Sequence, residues 1–140
     1  APFCYRIQAE QHSCVNTPPT VAIHLAGMVF DWIADNGGLA AMGERNRRKA
    51  AQLYTAIDAS GGFYRAPVAF GHRSTSNVRF HLADEELTEA FIAAAEQRGL
   101  HNLRGHSQLG GLRASLYNAM PEAGVAALTA CMADSARRHG

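Results

Sequence analysis

At 140 residues, with 47% hydrophobic and 18% charged residues, the chain has the composition of one globular domain that can bury a core. Its formal net charge of +1, from 13 Lys plus Arg against 12 Asp plus Glu, offers no footprint for a polyanion, so nucleic acid is not an expected partner. No segment has the apolar length of a membrane span or the pattern of an export signal, and Cys4, Cys14 and Cys131 fit neither a disulfide framework nor a CxxC zinc pattern; the expected setting is a reducing cytoplasm, away from membranes.

Residues 1–15 mix polar and aromatic types without a sustained period. The stretch Asn16-Thr17-Pro18-Pro19-Thr20 then reads as a helix start, with Thr17 as N-cap and Pro18 as the first helical residue. Residues 21–33 are apolar almost all round until Gly37 and Gly38, which predicts a helix buried on most sides or packed on another chain. His24, Phe30 and Trp32 read as packing residues within it. A second helix is predicted over 39–59, with Leu39, Met42, Leu53 and Ile57 as its core stripe and residues 44–49 (ERNRRK) as a solvated charged face.

The period then changes. Residues 63–68 form a short edge strand, limited by Pro67, and residues 76–82 a better one, in which Val78, Phe80 and Leu82 alternate with Asn77, Arg79 and His81. Joined by the polar loop 71–75, they predict an antiparallel hairpin with one buried face. A third helix spans 84–97, with Asp84 as N-cap, Glu85 and Glu86 in its first turn, and Leu87, Phe91, Ile92 and Ala95 inward. A short strand over 100–103, a strand over 112–117 showing Arg113, Ser115 and Tyr117 on one face, and a helix over 121–138 with Val125, Leu128 and Met132 inward complete the chain. This order predicts an α+β domain with a small, mainly antiparallel sheet covered by helices.

The densest chemistry lies in residues 105–120, GHSQLGGLRASLYNAM. His106 and Ser107 offer polar groups, Gly110 and Gly111 let backbone N–H groups approach a ligand, and Arg113 is the fork that matches a carboxylate or phosphate. The same residues also suit an ordinary turn with Arg113 in a structural ion pair. Lys49 is the single lysine, which matters for any chemistry needing a lysine amine.

Four phrases in series, NTPPT, GGLAAM, NVRFHLADEEL and GHSQLGGLRASLYNAM, resemble the C-terminal part of the phosphoserine aminotransferases, pyridoxal-phosphate enzymes of fold type I. The resemblance runs from about Asn16 to Gly140. It implies that 1–15 is a lead-in from a large domain and that 16–140 is the C-terminal small domain. It implies that Asn16 and Thr17 reach across a homodimer interface to the phosphate of the neighbouring subunit's pyridoxal 5'-phosphate, in agreement with a helix N-terminus as an anion site. It places Arg113 on the substrate's α-carboxylate, and His106 and Ser107 where the family has His-Arg at the substrate phosphate.

The implied parent reaction moves an amino group between glutamate and 3-phosphohydroxypyruvate, giving phosphoserine and 2-oxoglutarate in serine biosynthesis. The family's cofactor-bearing lysine lies upstream of NTPPT, where this sequence has none, so no catalytic residue is assigned and the 140-residue chain alone is expected to be inactive. Serine at 107 removes a charge-assisted contact of about 1.5–3 kcal/mol, and Arg104 is the expected substitute. The rival reading is a non-enzymatic module that binds a small anion or self-associates, motivated by the missing lysine and by Ser107. A zinc site built from the histidines is disfavoured, because no Cys or carboxylate set completes His101 and His106.

Overall fold

The computed structural model describes residues 3–140, and the chain divides into two compact units, Ala1–Ala41 and Met42–Gly140. In the first unit a short helix α1 (Tyr5–Glu10) precedes α2 (Thr20–Asp35). Helix α2 begins later than the sequence predicts: Pro19 is its N-cap, no side chain caps it, and Thr17 and Pro18 stay outside. The double proline is the cause, since a residue that precedes proline is pushed out of the helical region, and this applies to Thr17 and Pro18 in turn. None of the α2 residues is buried within this chain, and Val21, Ile23, Leu25, Met28, Val29 and Phe30 are all more than half exposed. At its end Asn36 Nδ2 donates to Trp32 O at 2.8 Å. Helix α3 (Gly38–Asp58) follows at once, with the predicted core residue Leu39 exposed instead.

The second unit holds the sheet and the core. Three antiparallel strands, β1 (Tyr64–Arg65), β2 (Asn77–Leu82) and β3 (Leu112–Ser115), lie side by side in that order. Tyr64 pairs with Leu82, Val78 with Ala114 and Phe80 with Leu112, so alternation sends these residues to one face. That face packs into a single cluster with Ala50, Leu53 and Ile57 of α3, with Phe91, Ile92 and Ala95 of α4 (Thr88–Glu96), and with Val125, Leu128 and Met132 of α5 (Glu122–His139). Tyr64, Phe80 and Phe91 meet edge-to-face with centroids 5.9 to 6.5 Å apart, and Tyr64 Oη donates to Met132 O at 3.0 Å. The α+β class and the helices over one face of a small antiparallel sheet are as the sequence predicts.

Several local expectations shift. The first strand shrinks to Tyr64–Arg65, because Pro67 has no N–H for the ladder. The predicted third helix opens as a 3-10 turn, Glu85–Leu87, with Asp84 accepting from Glu86 N–H at 3.0 Å, and becomes α-helical from Thr88. Segment 100–103 is not a regular strand; Leu103 O accepts Arg113 N–H at 2.8 Å, and an isolated bridge joins Arg104 to Leu112. Lys49 does not belong to a solvated face. It is fully buried, with Nζ donating to Tyr117 O at 2.7 Å and Met120 O at 3.1 Å.

Candidate functional site

The outer face of the sheet carries the chemistry that the inner face lacks. With the apolar residues turned inward, alternation sends Arg65, Asn77, Arg79, His81, Arg113 and Ser115 outward. Register then makes neighbours of residues far apart in sequence: Arg65 lies opposite His81, Arg79 opposite Arg113, and Asn77 opposite Ser115. The last pair is joined by Ser115 Oγ donating to Asn77 Oδ1 at 3.0 Å. Among the described residues none of Arg65, Arg79 and Arg113 lies within ion-pair distance of a carboxylate. Arg113 is exposed, so the structural ion pair that the sequence left open is absent.

Beside this face sits the loop 105–111, a closed ring held by its own backbone. Gly105 N–H donates to Gly111 O at 2.8 Å, and Leu109 and Gly110 N–H both donate to His106 O. The glycines at its closure are required by contact: a Cβ at Gly105 would collide with Gly110 O, and one at Gly111 with the His81 ring. His106 Nδ1 accepts Gln108 N–H at 3.2 Å, which puts the proton of the neutral ring on Nε2 and leaves that nitrogen as a donor. His106 and Ser107 are both exposed. The loop is tied to the sheet from below, where Arg79 Nη2 donates to Leu109 O at 2.6 Å.

Arg104, the expected substitute for a guanidinium at 107, has another partner. It forms a two-pronged ion pair with Glu89, at 2.5 and 2.7 Å, which holds the Glu89 carboxyl below its usual range, mainly through that hydrogen bond. A cavity of about 540 Å³ opens on the other side of β3, between segment 99–103 and α5; Arg113, His101 and Tyr117 line it, whereas His106 and Ser107 do not. Lys49 closes the turn after β3 by gripping its carbonyls, and burial pulls its ammonium below the usual lysine range, with Arg45 adding to the effect. Asn16 and Thr17 lie in the other unit, exposed, just ahead of the α2 N-terminus.

Sequence reasoning missed Arg79, although its outward position in an alternating strand was legible. Only the cross-strand register puts it beside Arg113. Among the described residues no group of three or more His, Cys, Asp or Glu side chains forms a metal site, and no helix is long and apolar enough to cross a membrane.

The small antiparallel sheet, covered by helices on one face and carrying arginines without carboxylate partners among the described residues on the other, defines an α+β module. The class-V aminotransferase profile matches residues 2–128, and the chain belongs to that family. It is 53% identical over 138 residues to a phosphoserine aminotransferase of Laribacter hongkongensis, and 52% identical over 138 residues to one of Stenotrophomonas maltophilia, in each case covering 99% of this chain and 38% of the relative. Among solved structures, the phosphoserine aminotransferase from Bacillus circulans subsp. alkalophilus superposes with a TM-score of 0.90 at 44% identity, over 97% of this chain and 38% of that one. The pyridoxal-phosphate-bound phosphoserine aminotransferase from Trichomonas vaginalis gives 0.83 at 40% identity, over 95% and 39%. The chain therefore spans well under half the length of the relatives it matches.

Proposed function

We propose that this chain is the substrate-clamping C-terminal part of a pyridoxal-phosphate-dependent phosphoserine aminotransferase, with 1–15 as lead-in and 16–140 as small domain. The observation that carries the reading is Arg113: an exposed guanidinium without a carboxylate partner, held on a rigid strand beside a closed glycine loop. On this reading the substrates are glutamate and 3-phosphohydroxypyruvate, and the products 2-oxoglutarate and phosphoserine, made in the cytoplasm.

Arg113 binds the α-carboxylate through two parallel hydrogen bonds and so fixes the amino-acid carbon against the reacting centre. His106 Nε2 and the Ser107 hydroxyl donate to the substrate phosphate. When bound, the cofactor supplies the electron sink for amino transfer. Asn16 and Thr17 would hold the phosphate of the neighbouring subunit's cofactor; their polar groups are exposed ahead of a 16-residue helix whose N-terminal dipole favours an anion, so the chemistry fits. Lys49 does not fit the role of cofactor-bearing lysine, since its amine is buried on two carbonyls. The exposed apolar side chains of α2, from Val21 to Phe30, support homodimerisation.

The test compares the protein as its gene encodes it with the 140-residue chain, both supplied with pyridoxal phosphate, in amino transfer from glutamate to 3-phosphohydroxypyruvate. The gene product should form phosphoserine and the chain alone should not. A gene product that binds pyridoxal phosphate without transferring the amino group, or an active isolated chain, contradicts the reading.

A further inference from the structure

Arg79 and Arg113 stand directly opposite each other in the β2–β3 ladder. The Arg113 N–H is used on the far edge of β3, by Leu103 O at 2.8 Å, whereas Leu116 N–H turns towards Ser76 O next to β2. Arg79 and Arg113 are therefore a non-hydrogen-bonded pair, the closer of the two antiparallel kinds, with Cα atoms about 4.5 Å apart. Like charges in that position destabilise a sheet. The three strands contain no Asp or Glu, and among the described residues no ion pair relieves either arginine.

Arg79 is also incompletely satisfied. Its Nη2 is used on Leu109 O, but its Nε is shut off from solvent and has no acceptor. A guanidinium carries five donors in one planar fork, so Arg79, with Nη2 committed to Leu109 O and Arg113 opposite it in the ladder, keeps donors for an anion. The neighbouring groups agree. His106 offers a donor from the loop, Ser107 is neutral, and Arg104 is taken by Glu89.

We propose that Arg79 and Arg113 form a paired-guanidinium clamp for a substrate with two acidic groups, Arg113 taking the α-carboxylate and Arg79 the distal phosphate. This rests on the proposed function above and makes Arg79 a specificity-determining residue. The mutual repulsion of the two cations is relieved when the dianionic ligand binds, so the pair selects for ligands that carry both groups. Leu109 O acts as the resting partner that keeps the Arg79 side chain aimed beneath the loop.

The test uses the complete gene product, with Arg79→Met, Arg79→Lys and Arg113→Met compared for affinity towards phosphoserine and towards alanine, which has the α-carboxylate alone. Arg79→Met should weaken phosphoserine by about tenfold or more, the size of one charge-assisted hydrogen bond, and should leave alanine nearly unchanged. Arg113→Met should weaken both. Arg79→Lys, which keeps the charge and loses the fork, should show a smaller loss confined to phosphoserine, and it guards against a methionine variant that does not fold. Equal losses for both ligands in the Arg79 variants would make Arg79 a strut of the loop and overturn the clamp, as would no loss at all. Inorganic phosphate, titrated against the unmodified protein and Arg79→Lys, reads the same contact without amino transfer. An Arg79-dependent phosphate affinity in a protein with no transaminase activity would keep the clamp and reject the proposed function.

Discussion

The two faces of the β2–β3 pair are built from alternate residues of the same strands and have opposite tasks. Val78, Phe80, Leu112 and Ala114 face inward and are almost wholly buried, while Arg79, Arg113 and Ser115 face outward. Hydrophobic burial accounts for the inner face without reference to any ligand. The outer face is locally unfavourable, since it places two cations opposite each other with no carboxylate partner among the described residues, an arrangement that the proposed clamp would explain. A strand with one face fully packed is also the rigid support on which a binding side chain keeps its position.

The sharpest way to break this contrast is to cut each face in turn. Phe80→Ala removes a fully buried ring from the centre of the core and should lower unfolding free energy by about 3–5 kcal/mol in a denaturant titration. Arg113→Met, on the same sheet, should change stability by no more than about 0.5 kcal/mol. Comparable losses from the two would mean that the outer face is structural after all.

A pH titration probes the inner face from another side. Burial pushes the Tyr64 hydroxyl up to about 12 from its ordinary 10.0. Between those values the unfolded chain loses this proton while the folded one keeps it, so stability is full below pH 10 and falls as pH rises towards 12, by about 2 kcal/mol in total. Tyr64→Phe should make that alkaline fall shallower, in chemical denaturation followed from pH 9 upward relative to the unmodified chain; burial also raises Tyr54 and Cys131, whose share of the slope should remain. An unchanged slope in the variant would place the titrating group elsewhere. The smallest effect belongs to Arg104→Met. Its ion pair with Glu89 is exposed on both sides, so neither stability nor phosphoserine affinity should change measurably. A loss of affinity there would hand Arg104 the role assigned to Arg79.

Much of this was legible in the sequence because it depended on local rules. Alternation of Val78, Phe80 and Leu82 fixed the inner face of β2, and the spacing of Met42, Leu53 and Ile57 fixed the inner stripe of α3. The turn at 105–111 was legible in its glycines, and the outward position of Arg113 in the alternation of β3. What escaped notice depended on groups distant in the chain. Lys49 sits in a run of charges that reads as solvated, and only the carbonyls of Tyr117 and Met120, 68 and 71 residues on, explain its burial. Arg104 seemed free until Glu89 came beside it, and Arg79 gained meaning only from the register with β3. Leu39 satisfies the helical period yet stays exposed, because periodicity selects a face and not the neighbour that covers it.

The measurement closest to the central claim is the affinity of the complete gene product for phosphoserine before and after Arg113→Lys, with the thermal midpoint followed in parallel. Lysine keeps the charge but not the two-pronged geometry, so affinity should fall by about tenfold with the midpoint unchanged. Unaltered affinity in a folded Arg113→Lys protein would contradict the assignment of this sheet face as the substrate clamp.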